Sequence, residues 1–423
     1  MATSFKPPSK SLTLGDIQFL ALALFGVFVL CAALIYSNLN YINQLGGGGE
    51  SYLPWVAGRA FLFENFDPYS SYVPEHVQEL VYDRGARPGD EPYILDLPFH
   101  LLLLYFPFSL LPDPQLARAI FTLCTELALF ALVFFSLRLT DWESPFIFVI
   151  LFFVFSISNF YLFQALIEAA PVLLLGLIYA GILLALRSGS DELAGALIAV
   201  ACYQWEVGGP FLLLVLLRVL YERRRRVLAG FGMLTFILLA VSFFIYPDWI
   251  VPFLRATVNN LRADFGFSTQ SILNHIWPDF GGQLALGLRI LLLVSLIYEI
   301  GSARGSDFRR FYWASCLTIA AAPLLGFRTE MENLAILILP LALVFAITHE
   351  RWRRLGNILI YLLLILAFAL PWVIYLYALP RYGRIAEEVL FLFVPLLTLI
   401  GVYWIRWWAI RPPRTWFDRA KVG

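Results

Sequence analysis

Charge is scarce in this chain of 423 residues: 14% are Asp, Glu, Lys or Arg, against 60% hydrophobic, and mean hydropathy is +0.77. A water-soluble protein of this size needs far more charge to cover its surface. The scarcity excludes a soluble globular class and makes lipid the solvent over most of the molecule. An excess of one sign is also missing, the formal net charge being zero. That excludes nucleic acid as a partner, because such binding rests on clustered positive charge. Cysteine is sparse too. Cys31, Cys124, Cys202 and Cys316 stand singly in apolar runs, with no CxxC or Cys/His cluster. Disulfide and zinc readings are poor on that pattern, and the four read as small core hydrophobes. There is no appended soluble domain, no internal repeat, and no low-complexity linker beyond GGGG at 46–49.

What is present is a succession of apolar runs. Stretches of about 17–25 such residues mark membrane helices. They fall near 14–36, 94–111, 115–138, 145–163, 166–187, 191–220, 227–246, 284–301, 310–326, 331–348, 355–378 and 387–409. The expectation is an all-α integral membrane bundle of about twelve transmembrane helices, one domain over 1–423. The first run follows Lys6 and Lys10, is too long for a signal-peptide core and is not followed by a small-residue cleavage site, so it reads as a retained first helix. Gly208, Gly209 and Pro210 interrupt 191–220, which is either one kinked helix or two short ones. Positive charge arbitrates. Taken as one span, it puts Lys6/Lys10, ERRRR at 222–226, Arg304/Arg309/Arg310, HERWRR at 349–354 and the tail from Arg411 to Lys421 on one side. Both termini are then cytoplasmic, in a multi-pass protein whose default membrane is a prokaryotic plasma membrane.

The same count leaves 37–93 and 247–283 outside, with short outer segments at 326–332 and 379–386. The first outer loop carries Glu50, Glu64, Asp67, Glu75, Glu79, Asp83, Asp90 and Glu91 against three arginines. Residues 52–64 and 74–84 have helical character, separated by Pro68, Pro74 and Pro88. Trp55, Phe61, Leu62 and Phe63 alternate with Arg59 and Glu64, a mixture that suits a helix lying in the membrane interface.

A carboxylate after the first membrane helix, then aromatics, the small-residue run AGRA and the DPY at 67–69 resemble the polyprenyl-phosphate-dependent glycosyltransferases of the GT-C superfamily. The similarity is greatest to the GT87 (DUF2029) group, which includes the mycobacterial phosphatidylinositol-mannoside mannosyltransferases. Setting Arg59 and Ala60 on that family's A-x-R-A pattern puts Glu50 where it has Asp. PYILDLPFHLLLLYFPFSLLPD at 92–113 is similar to its proline-rich second span, and FSTQSILNHIW at 267–277 to its outer-loop NQS region. The chain departs from the family in three places: Glu50 is one methylene longer than Asp, Gln204–Trp205–Glu206 stand for the usual Lys-Pro, and RTEMEN at 328–333 replaces a His-containing motif.

The resemblance implies an inverting transfer of a hexose or pentose from a polyprenyl-phosphate sugar to a lipid or glycan acceptor on the extracytoplasmic face. It implies no cofactor and no metal; beside the two substrates, the only partners are membrane lipids. Phosphate is a good leaving group, so one carboxylate suffices as base toward the acceptor hydroxyl. Glu50 holds that place, and GGGG before it lets the backbone turn sharply and approach closely. Read from the residues alone, Glu50 is first a solvated loop acid after a flexible turn, and only the resemblance turns it into a base. Arg328 is the first candidate for the departing phosphate, since arginine's planar fork suits phosphate; an Arg328–Glu332 ion pair is the bland account. Arg262 and His275 are further phosphate candidates, with a capping role open to His275. Tyr52, Trp55 and Glu332 are placed at the sugar or acceptor cavity, with packing the alternative for the aromatics. Asp96 and His100, four apart on a helix, either line that cavity or satisfy each other. Gln164 and Glu168 fall at the cytoplasmic end and read as structural. A polytopic transporter or lipid-linked-glycan flippase is the rival, against which stands the lack of a repeat.

Overall fold

The computed structural model of the protein describes residues 14–142, 145–263 and 265–411. Lys6, Lys10 and the tail beyond Arg411, which carry part of the charge argument, lie outside the described residues. Among the described residues the chain is helical, with a single isolated bridge between Phe267 and Thr329 and no strand. Lipid offers no hydrogen bonds, so apolar runs satisfy their own backbone as helices. Local signals set several starts: the side chains of Asp113, Asn159 and Asp307 accept backbone N–H groups at the heads of Pro114–Thr140, Phe160–Ile167 and Phe308–Ala321.

Among the described residues, seven helices are long and apolar enough to cross a membrane, or eight if Phe146–Ile157 and Phe160–Ile167, bent by 47°, form one span. Glu332–Trp352 and Leu355–Tyr382 count separately although the backbone is helical throughout Ile338–Leu364. A Cβ on Gly356 would stand 2.5 Å from the Thr348 carbonyl. Eight residues of straight helix would put them roughly 12 Å apart, so the chain doubles back here.

The bundle has two recognisable ends. One is tied by Arg187 to Asp141 at 2.5 Å, Trp142 Nε1 donating to His349 Nδ1 at 3.2 Å, Arg224 to Asp191 at 2.8 Å, and Arg304 5.2 Å from the Tyr221 ring. The other gathers the glycine loop at 46–49, Trp249, the Phe267–Thr329 bridge and several carboxylates.

Four of the twelve expected spans fall outside that count of eight: 166–187 and 310–326 form the shorter helices Val172–Ser188 and Phe308–Ala321, and 94–111 and 191–220 are not spans. The stretch 94–111 is extended as far as Pro98 and then forms short helical pieces over Phe99–Ser109, interrupted before Pro107. About 16 Å of helix cannot cross a bilayer core of about 30 Å. These pieces pack instead with Tyr52, Trp55, Val73, Val77 and Trp249 in a second core under the first loop. The stretch 191–220 breaks at Cys202–Gln204, into Asp191–Ala201 and Trp205–Tyr221. Asp191 begins the first helix, and its partner Arg224 follows the second. Both outer ends therefore sit at one end of the bundle, and the segment enters and returns. Gly208 and Gly209 do not break the helix that contains them; a Cβ on Gly208 would overlap the Tyr179 ring, so this glycine serves close packing.

Gly195 and Gly230 play the same part where Asp191–Ala201 meets Arg225–Ile245, since a Cβ on either would overlap the facing backbone. Gly195→Leu is expected to push these helices apart and lower the apparent Tm by several degrees, the overpacking penalty being about 1–3 kcal/mol. Thermal unfolding in detergent checks this, and an unchanged Tm would contradict the packing.

Candidate active site

The site begins with the glycines. Gly46, Gly47 and Gly48 have φ of +77°, +68° and +89°, a region that glycine enters without steric cost. Space demands glycine as well: a Cβ on Gly47 would stand 2.5 Å from Glu168 Oε1, one on Gly48 2.5 Å from Arg118 Nε, and one on Gly49 would overlap the Tyr93 ring. The loop feeds the helix Gly49–Phe63, whose first turn carries Glu50. No side chain adjoining that helix caps it. Glu168 does so from far along the chain, its Oε2 accepting the N–H of Gly48 at 3.0 Å and of Gly49 at 3.2 Å. Arg118, 2% exposed, donates from Nη2 to the carbonyls of Gly46 at 2.5 Å, Ile167 at 2.6 Å and Ile42 at 3.5 Å.

Glu50 meets two carboxylates from distant segments. Glu50, Glu91 and Glu330 each offer an oxygen within 4.8 Å of the others. Glu332, 7% exposed, and Glu168 face the same group. Glu330 is held by its neighbour Thr329, which exchanges backbone hydrogen bonds with Phe267 at 2.8 and 3.0 Å and accepts from Asn333 Nδ2 at 3.0 Å. Glu91 shares a hydrogen bond with Tyr93. Burial, and then repulsion among these carboxylates, pushes Glu50 and Glu330 well above the usual carboxylate range, Glu91 to about 8 and Glu168 to about 7. Such a group retains protons at neutral pH and titrates as a unit. The three oxygens could also hold a divalent cation, water or substrate phosphate completing its shell.

The other expected residues fall in varied places. Glu332 is at the cluster. Arg328 is exposed, two residues before Glu330. Arg262, also exposed, shares with Arg255, Val251, Leu254 and Val258 a groove of about 470 Å³ on the amphipathic helix Ile250–Arg262. His275 is engaged elsewhere: its Nδ1 lies 2.7 Å from the buried Glu388 carboxylate, to which Arg384 also donates at 3.3 Å. Tyr52 is buried beneath the Arg118 guanidinium, and Trp55 is buried with its Nε1 donating to the Leu111 carbonyl at 3.1 Å. Asp96 and His100 do not share a helix face, because Asp96 precedes the helix that begins at Phe99. Asp96 accepts from Asn260 Nδ2 at 2.8 Å, while His100 lies against Trp249 at 5.8 Å between ring centroids. Glu168 is the largest correction. It stands at the site rather than at the far end. Sequence reasoning had no place for Arg118 and left Glu91 and Glu330 without a role; the signal available was that a charge within an apolar stretch is costly unless used.

Tyr203, from the break in the re-entrant segment, packs against the second core and hydrogen-bonds with Tyr105, close enough to Glu50 to feel its charge. The tip of that segment thus forms part of the floor of the site.

No curated protein matches the chain. The glycosyltransferase family 87 model matches residues 98–325, more than half of it. That stretch contains Arg118, Glu168, Asn260 and His275 and ends five residues short of Glu330. With helices of membrane-spanning length around a buried polar site, the chain belongs to glycosyltransferase family 87 and is a membrane glycosyltransferase.

Proposed function

We propose that the protein transfers a hexose or pentose from a polyprenyl-phosphate carrier to a lipid or glycan hydroxyl at the end of the bundle that holds Glu50. The observation that carries this reading is the convergence of Glu50, Glu91 and Glu330 at the close of the first membrane helix, where a donor moving within the bilayer can arrive. The GT-C subtype is part of the same proposal. So is the extracytoplasmic face of the plasma membrane: Arg224, Arg304 and the arginines around 349–354 belong to the opposite end, and positive charge favours the cytoplasm.

Glu50 takes the proton of the acceptor hydroxyl as its oxygen bonds to the anomeric carbon. The bond from that carbon to phosphate breaks on the opposite face, with inversion, and the polyprenyl phosphate leaves with its electron pair. Glu91 and Glu330 hold the proton affinity of Glu50 high, which a base acting on a hydroxyl needs. Arg328 and Arg262, on the exposed rim, receive the phosphate charge.

A base kept protonated at neutral pH works better as pH rises. The rate is expected to climb about tenfold per pH unit while the cluster stays protonated and to level off above its transition, which burial and the neighbouring carboxylates raise well above the usual carboxylate range. The same shift lowers stability with rising pH. Carboxyls raised in the fold bind more protons than in the unfolded chain between about pH 4.5 and 8, so stability falls across that window. A pH–rate profile of the purified enzyme checks the first expectation.

The function itself is tested with the purified protein and a panel of synthetic polyprenyl-phosphate sugars, with and without a chelator. Transfer from one donor that persists in chelator supports the reading whole. Transfer that a divalent cation must restore would replace the proton-sharing account with a metal at the three carboxylates. No transfer from any donor would remove the proposal.

A further inference from the structure

The glycine loop before Glu50 has one local hold, at the Gly48 carbonyl, which accepts from Ser51 Oγ at 2.9 Å and from the N–H groups of Ser51 and Tyr52. Gly46, Gly47 and Gly48 otherwise run through three positive φ values with no side chains to hold them, and the helix they start lacks a local side-chain cap. Two side chains from elsewhere supply both. Glu168, in the connection between Phe160–Ile167 and Val172–Ser188, takes the N–H groups of Gly48 and Gly49. Arg118 takes the Gly46 carbonyl and, with the same Nη2, the carbonyl of Ile167, the residue before Glu168. One group holds the loop by its donors, the other by its acceptors, and both belong to one hydrogen-bonded frame.

Resting on the proposed role of Glu50, we propose that Glu168 is a positioning residue for the transfer. It fixes Gly48 and Gly49 so that Glu50 enters its helix facing Glu91 and Glu330. Geometry of this kind matters because a displacement of about 1 Å at a reacting group can cost about a hundredfold in rate. Glu168 also adds its charge to the site. Glu50 faces Glu91, Glu330, Glu332, Glu168 and Asp96, with Tyr105 and Tyr203 beside it, while Arg118 faces Glu168.

The test compares Glu168→Ala and Glu168→Gln with wild type and Glu50→Gln in the full-length enzyme. Alanine removes the acceptor, so kcat is expected to fall about 30–100-fold with KM for the donor little changed. Amide exchange of a peptide covering Gly46–Tyr52 should quicken. Glutamine keeps an oxygen that can accept both N–H groups but loses the charge. It should retain kcat within about fivefold, and the rise of rate with pH should move about half a unit lower, because one like charge has gone. Wild-type kcat in Glu168→Ala, beside an inactive Glu50→Gln, would overturn the positioning role and leave Glu50 as base. Glu168→Gln as inactive as Glu50→Gln at every pH would also overturn it, making Glu168 part of the chemistry. An active Glu50→Gln overturns the parent reading and is scored separately. Should the alanine variant fail to fold, Glu168→Asp decides, since it keeps the charge but withdraws the acceptor by about 1.5 Å: unchanged kcat and unchanged amide exchange over Gly46–Tyr52 reject the proposal.

Discussion

Glu50→Gln is expected to cut kcat by about 10²–10⁴-fold, the usual contribution of a positioned general base, while the protein remains folded. The side chain keeps its length and hydrogen-bonding capacity but can no longer take a proton. Its fold should not suffer, because burial and the carboxylates within 4.8 Å already favour the neutral form of Glu50, and glutamine is a neutral group of nearly the same shape. The apparent Tm is therefore expected to hold or rise. Glu50→Asp separates distance from chemistry. The carboxylate is retained but withdrawn by one C–C bond, about 1.5 Å, so an intermediate rate follows. Turnover measured with the donor found active in the panel reads both. Wild-type turnover by Glu50→Gln would remove Glu50 from the chemistry.

Arg118→Met should do more damage to the molecule as a whole. The guanidinium is 2% exposed and makes two short hydrogen bonds, to Gly46 and Ile167. Hydrogen bonds to a charged group contribute about 1.5–3 kcal/mol each, so the loss is about 3–6 kcal/mol, with no solvent screening to discount it. Methionine fills the stem's volume and leaves the carbonyls of Gly46 and Ile167 without this donor. A large fall in apparent Tm is expected, and a loss of more than about a hundredfold in kcat at temperatures where the variant is folded, since the glycine loop loses its acceptor-side hold. Arg118→Lys should recover only part, because an ammonium cannot reproduce the planar fork. A variant as stable and as active as wild type would show that the clamp is dispensable.

Much of this site was legible. The membrane class followed from charge content. Glu50 was singled out by the family resemblance rather than by its place alone, and the structure sets it beside Glu91 and Glu330; the glycines followed from what only glycine permits. Glu168 was put at the wrong end for a specific reason. Apolar length does not distinguish a run that faces lipid from one buried among protein, so 94–111 and 191–220 were each counted as a crossing. Each miscount inverts everything that follows it, and the second restores what the first reversed. Only the segment between them, which includes Glu168, was inverted. The arginine runs that test orientation lie after both, and the loops between hold little beyond Arg138 and Arg187. Positive charge had nothing to say where the error lay. His275 shows a different limit: its partner Glu388 is 113 residues away, and no local pattern connects them.

Glu50 and Glu330 are separated by 280 residues, and that interval is also a delay in time. At about 5–20 residues per second, a ribosome needs roughly a quarter of a minute to a minute to pass from one to the other. During that interval Glu50 and its glycine loop are already made, yet the last of their companions are not. Glu91 is made first, then Arg118 and Glu168, and Glu330 and Glu332 last, so a nascent chain carries the frame before it carries the completed site. On the proposed role of Glu50, a chain released before residue 330 holds the loop frame but not the full carboxylate cluster, and is expected to be inactive.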